Sequence, residues 1–208
     1  NHELVSSAGY PYSLDNGTAL TGARVSFLLF DKESRELEDA GLAYDTIYNR
    51  AGDIVDEASD LDFNGLNRLC SAGSFISGQA GFVDDVFLTG EETYGGTEFA
   101  LDVANGELWA LPWLGRAAWE SVAALEIGGI NKTHVAILVG DDRGDAPLLL
   151  YVGEKIPGGN FIERNGLANG RLYMWVADNG DLSPAQWNGT GTSRSGRFVE
   201  VENYNADE

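Results

Sequence analysis

Short apolar runs separated by glycine- and acid-rich turns dominate the chain. They are VSFLLF (25–30), DVFLTG (85–90), TEFALD (97–102), ELWALP (107–112), HVAILVG (134–140), LLLYVG (148–153) and RLYMWVAD (171–178). Each is rich in β-branched or aromatic residues and bounded by turn formers, which predicts a strand. The Asn105-Gly106 pair in NGEL predicts a two-residue hairpin turn between TEFALD and ELWALP. Helical patterning is thinner. Ser34 to Ala43 and Ala117 to Glu126 each predict two or three turns, and Leu61 to Leu69 a shorter one.

A loose repeat underlies the strands. At FLLFDKE, VFLTGEE and AILVGDDR an apolar run ends in acids, and another strand follows. The second and third occurrences lie about fifty residues apart, the period of a four-stranded propeller blade. The expected fold is therefore mainly all-β, a β-propeller or propeller fragment with a few short helices, forming one region over residues 1–208. Three or four blades fit this length, so the region is expected to be incomplete at both ends. The opening NHEL, without an initiator methionine, reads as a processed product or internal fragment. The last ten residues read as a frayed or linking segment.

Composition narrows the function classes. With 43% hydrophobic and 11% aromatic residues the chain is expected to fold. Its 33 acidic against 13 basic residues leave a net charge of −20. That field repels nucleic acid and anionic lipid, and suits an extracellular setting or the collection of divalent cations. No apolar run is long enough to span a membrane, so no membrane insertion is expected. One cysteine forbids an internal disulfide. Sequons stand at Asn16, Asn131 and Asn188.

The candidate chemistry sits at strand ends. Glu91 and Glu92 follow VFLTG, Asp141 and Asp142 follow AILVG and precede Arg143, Glu120 lies in GRAAWES, and Glu3 lies near the start. In a propeller, equivalent strand ends converge on one channel mouth. Several carboxylates meeting there would repel one another unless multivalent cations joined them. Calcium suits such oxygen sets, and the lone thiol of Cys70 would admit iron or another transition metal. The plainer reading gives solvated turns, a buried packing cysteine, and Trp109, Trp113 and Trp119 as core aromatics. No P-loop, GxGxxG, GxSxG elbow, paired CxxC or EF-hand spacing occurs.

Five short motifs in order carry a family resemblance: NHE (1–3), CSAG (70–73), LTGEE (88–92), GRAAWES (115–121) and VGDDRGDAPLLLYVGE (139–154). Together they resemble the PhoX-type alkaline phosphatases, secreted β-propeller metalloenzymes, over residues 1 to about 155. The resemblance implies hydrolysis of phosphate monoesters by a cluster of iron and calcium. It makes Cys70 an iron ligand with a catalytic role. Glu3, Glu91 or Glu92, Glu120, and Asp141 or Asp142 become carboxylate ligands, and Arg143 a catalytic phosphate clamp. Leu69 stands where that family has asparagine, Gly90 where it has cysteine, Trp119 where it has histidine, and Asp141 where it has glutamate. The chain would be secreted, and would assemble with other chains or with the rest of its precursor. The rival expectation is a non-catalytic, calcium-stabilised propeller serving as an extracellular structural component.

Overall fold

The computed structural model describes residues 1–128, 131–183, 186–187, 191–202, 204 and 206. The described chain is mainly β. Two small antiparallel pairs come first: β1 (Tyr12–Ser13) with β2 (Ala19–Leu20), and β3 (Ser26–Phe30) with β4 (Leu37–Leu42). A ten-stranded sheet follows, built from two consecutive meanders. The first contains β6 (Leu69–Phe75), β7 (Val86–Gly96), β8 (Glu98–Asp102) and β9 (Glu107–Ala110). Beyond β9, β5 (Thr46–Tyr48) adds as a parallel edge strand. The second contains β10 (Ala117–Ala124), β11 (His134–Asp141), β12 (Leu149–Glu154), β13 (Gly170–Ala177) and β14 (Gly196–Glu200). Among the described residues a single four-residue α-helix, α1 (Phe161–Arg164), caps this second unit. Among the described residues no helix is long and apolar enough to cross a membrane.

The meanders are joined where β10 meets the end of β7, with Ala117 in register with Gly96 and Ala118 with Glu92. Strand alternation places a different core on each face of β7–β9. Leu88, Ala100 and Trp109 join Trp119, Ile137 and Tyr151 on one side. Phe99, Leu101 and Leu108 join Leu20, Ile47 and Leu69 on the other. Burial on both faces explains why every residue of β8 is buried, including the acids Glu98 and Asp102. Trp109 and Trp119 are core aromatics as expected, Trp109 stacking on Tyr48 with ring centroids 3.6 Å apart.

All seven apolar runs form strands, but the three expected helices do not form. Ala117 to Ala124 is β10, because the open edges of β7 and β11 offer its backbone a ladder on both sides. Tertiary pairing overrides local propensity here. Leu37 to Leu42 pairs with β3 instead of coiling. Between Leu61 and Leu69, positive φ at Asn64, Gly65 and Arg68 is incompatible with a helix. The expected two-residue turn is a four-residue connection, 103–106. Asp102 Oδ1 accepts the Ala104 and Asn105 N–H groups, and Gly106 takes a φ of +68°. The described part of the last ten residues is packed, not frayed: Val201 N–H donates to Leu172 O, Tyr204 Oη donates to Pro112 O at 2.7 Å, and Ala206 is buried. Asn16 uses its side chain to brace Val55 O and Thr18 N–H, Asn131 is exposed, and Asn188 lies outside the described residues.

Candidate metal centre

The acids gather at the junction of the two meanders, and strand irregularities aim them. On β6, Leu69 pairs with Glu91 and Ser71 with Gly90, so Cys70 is the extra residue of a β-bulge. On β10, Trp119 pairs with Asp141 and Ser121 with Gly140, so Glu120 is likewise an extra residue. Bulges bend a strand and redirect a side chain out of the alternation. Here they bring Cys70 Sγ to donate to Glu120 Oε2 at 3.4 Å. The Cys70 bulge is held from outside by Asn1, whose Nδ2 donates to the carbonyls of Leu69, Cys70 and Ser71 at 2.9, 3.0 and 3.2 Å.

Glu92 links two donor groups. Glu3, Cys70 and Glu92 offer ligand atoms within 4.8 Å of one another, and so do Glu92, Glu120 and Asp142. Main-chain bonds fix this placement: Glu92 N–H donates to Arg68 O at 2.9 Å and Asp142 N–H to Ala118 O at 2.8 Å. Arg68, with φ +48°, supplies the counter-charge, donating from Nη2 to Glu3 Oε1 and Glu92 Oε2 at 3.0 Å each. Four carboxylates face that one guanidinium, so the cluster keeps an excess of negative charge. Glu3, Glu120 and Asp142 are exposed, which leaves the cluster open to solvent.

The neighbouring acids do other work. Glu91 points to the opposite face of β7 from Glu92, where its carboxyl accepts the N–H groups of Asn67 at 2.9 Å and Thr97 at 3.0 Å. Burial pushes its pKa up to about 8 against the pull of those two donors. Asp141 does not join the cluster. Its buried carboxylate accepts Ala118 N–H at 3.2 Å and is gripped by Nε and Nη2 of Arg143. The Arg143 guanidinium also lies 5.3 Å from the Tyr94 ring centroid and stays about half exposed. Among the described residues, the carboxyl of buried Glu98 accepts only the Ser71 hydroxyl, at 3.2–3.3 Å, and burial lifts its pKa to about 8.

Glu92, Glu120 and Asp142 form a set of three carboxylates, whereas Glu3, Cys70 and Glu92 pair two carboxylates with one sulfur, and donor atoms this close could hold a metal ion. Cys70 itself is held as a thiol: burial, then Glu92 and Glu120, push its pKa up to about 12. A bound cation would reverse that balance, because its charge favours the thiolate. A cavity of about 580 Å³, lined by Trp113, Arg171, Tyr173 and Tyr204 among others, contains none of the cluster acids.

Of the sequence-derived candidates, Glu3, Cys70, Glu92, Glu120 and Asp142 are brought together, and Glu91 and the Asp141–Arg143 pair are not. The repeat is only partly expressed in the site. VFLTGEE and AILVGDDR deliver Glu92 and Asp142, but the Asp31 of FLLFDKE accepts Glu33 and Ser34 N–H groups at an exposed hairpin tip. Sequence reasoning missed Arg68 and Asn1. Arg68 has a positive φ and Cys70 is a bulge residue, so no alternation rule in the sequence signals their meeting. No family model matches the chain, and no curated protein or solved structure matches it either.

Proposed function

We propose that this chain is part of a secreted, metal-dependent phosphomonoester hydrolase of the PhoX type on a β-propeller scaffold. The observation that carries the reading is the convergence of a lone thiol and four acids from separate segments, with atoms close enough to share cations. The two consecutive antiparallel meanders support neighbouring propeller blades. Glu3, Cys70, Glu92, Glu120 and Asp142 would hold iron and calcium. When bound, these metals supply Lewis-acid activation of a phosphoryl group and neutralise its charge.

The chain's own residues prepare the ground for an anionic substrate. Arg143 follows the cluster residue Asp142 in sequence, and in this reading it serves as a phosphate clamp from outside the cluster. Asp141, anchored by Ala118 N–H, positions Arg143, whose planar fork holds phosphoryl oxygens with the N–H groups that Asp141 leaves. Tyr94 limits the swing of that side chain from the other side. Arg68 keeps Glu3 and Glu92 from separating before cations arrive.

The test combines elemental analysis of the purified chain with hydrolysis of p-nitrophenyl phosphate before and after chelation. Stoichiometric iron and calcium with chelator-sensitive turnover is the expected result; absence of both metals would overturn the reading. A second reading is favoured by one feature: the all-oxygen set Glu92, Glu120 and Asp142 sits where β7 meets β10, at the junction of the two meanders. Calcium there would staple the two units of a non-catalytic structural propeller. Calcium-dependent stabilisation with no hydrolysis and no iron identifies that case.

A further inference from the structure

The cavity of about 580 Å³ lies at the start of β13, and strand register explains how it forms. Tyr151 pairs with Leu172, and both side chains enter the core. Val152 pairs with Arg171, so alternation turns these two to the opposite face. Glu154 and Tyr173, each two residues further along its strand, share that face, and Glu200 lies opposite Tyr173. There β14 ends, whereas β13 extends back to Gly170. Val201 N–H still donates to Leu172 O, and the chain then turns toward Pro112, where Tyr204 Oη is bonded. Trp113 and Tyr204 form a wall of the cavity, edge to face with ring centroids 6.3 Å apart.

The polar part of the lining is open to a ligand. Among the described residues the Glu154 carboxylate, the Asn169 amide and the Tyr173 hydroxyl have no protein partner. Glu154 and Asn169 are held side by side, because Asn169 O accepts the Glu154 N–H at 3.0 Å. Arg171 is fixed by its ion pair with Glu200, which uses one of its two terminal nitrogens.

This set selects a ligand class. Glu154 and Glu200 accept, Arg171 donates, and Asn169 and Tyr173 do both, so the matching ligand carries groups that donate and accept, as hydroxyls do. Two carboxylates against one guanidinium, in a chain of net charge −20, repel an anion. A cation would satisfy the acceptors but leave the Arg171 and Asn169 donors facing it unpaired. Trp113, Tyr173 and Tyr204 add ring faces suited to C–H surface. The volume falls within the roughly 300–1,000 Å³ of small-molecule sites.

We propose that this cavity binds a short neutral saccharide, its C–H faces against Trp113 and Tyr173 and its hydroxyls shared among Glu154, Asn169 and Arg171. The inference uses none of the cluster residues and is independent of the phosphatase reading.

An array of immobilised neutral, sulfated and sialylated glycans, probed with the full chain, tests it, followed by calorimetric titration of the tightest neutral glycan. Neutral glycans should be retained and the anionic ones not, with or without chelator. Asn169→Ala and Tyr173→Ala remove side chains that bond to nothing in the protein, and each should weaken the titrated glycan at least tenfold. Circular dichroism verifies that each variant keeps its fold, and Glu154→Gln replaces either one that does not. Retention of no neutral glycan, retention of anionic glycans alone, or a neutral glycan whose affinity these substitutions leave unchanged overturns the proposal.

Discussion

Cys70 and Glu120 occupy the extra positions of two facing β-bulges, and the bulges aim Sγ at Oε2 across 3.4 Å. Two irregularities on neighbouring strands thus converge on one contact, at the point where the two meanders join. A side chain left in the regular alternation at either position would face a different surface, so the thiol's chemistry depends on both bulges.

The first expectation concerns that thiol. With its pKa near 12, metal-free Cys70 carries almost no thiolate at pH 8 and should react with a disulfide reagent far more slowly than an ordinary cysteine. Glu120→Gln removes one of the groups that raise the pKa, and should speed the reaction about tenfold, as for a shift of one pKa unit. The rate of thionitrobenzoate release in chelator-treated protein is the measurement. An unchanged rate would mean that burial and Glu92 suppress the thiolate without Glu120.

Much of the framework was readable before any coordinates. The seven apolar runs became strands because each one's turn formers and β-branched content agree with its tertiary surroundings. The misread segments share a cause. Ala117 to Ala124 lacks strong strand character and owes its conformation to β7 and β11 on either side. The acid cluster was readable as a set but not in detail. Choosing Glu92 over Glu91 requires knowing which face of β7 meets β10, and alternation states only that the two differ. Bulges at Cys70 and Glu120 depend on register between distant strands, which no local pattern encodes.

Arg68 should trade stability against cation binding. It is the counter-charge that bridges Glu3 and Glu92, so Arg68→Gln leaves two like charges facing each other beside Glu120 and Asp142. The metal-free variant is expected to melt at a lower temperature than wild type. Added calcium should raise its melting temperature by a larger increment, because a cation then meets no internal competitor. Parallel calcium titrations followed by differential scanning calorimetry give both quantities. An equal calcium increment in the two proteins would show that Arg68 lies outside the cation-binding balance.

Asp141 and Asp142 are neighbours with separable roles. Asp141→Asn weakens the grip on Arg143 without removing a cluster donor, so metal content should be unchanged while KM for p-nitrophenyl phosphate rises about tenfold. Asp142→Asn should instead lower the bound metal itself. Elemental analysis beside steady-state kinetics distinguishes the two effects, and metal loss in Asp141→Asn would reassign that residue as a ligand.

The buried acids predict an unusual pH dependence of folding. Glu91 and Glu98 have folded pKa values near 8 against a usual 4.5, in both cases chiefly through burial. The folded chain thus retains two protons that the unfolded chain releases between about pH 4.5 and 8. Stability from these groups is greatest below that range, falls as pH rises through it, and levels off above pH 8, where the folded carboxyls ionise too. Glu98 is the cleaner probe, since the only partner of its carboxyl among the described residues is the Ser71 hydroxyl, a group able to donate or accept. Glu98→Gln keeps the shape and removes the titration. It should stabilise the protein at pH 8.5 by about 4 kcal/mol relative to its effect at pH 5. Chemical denaturation of metal-free protein at the two pH values measures this difference. A substitution effect that is the same at both would mean that Glu98 titrates alike in the folded and unfolded chain.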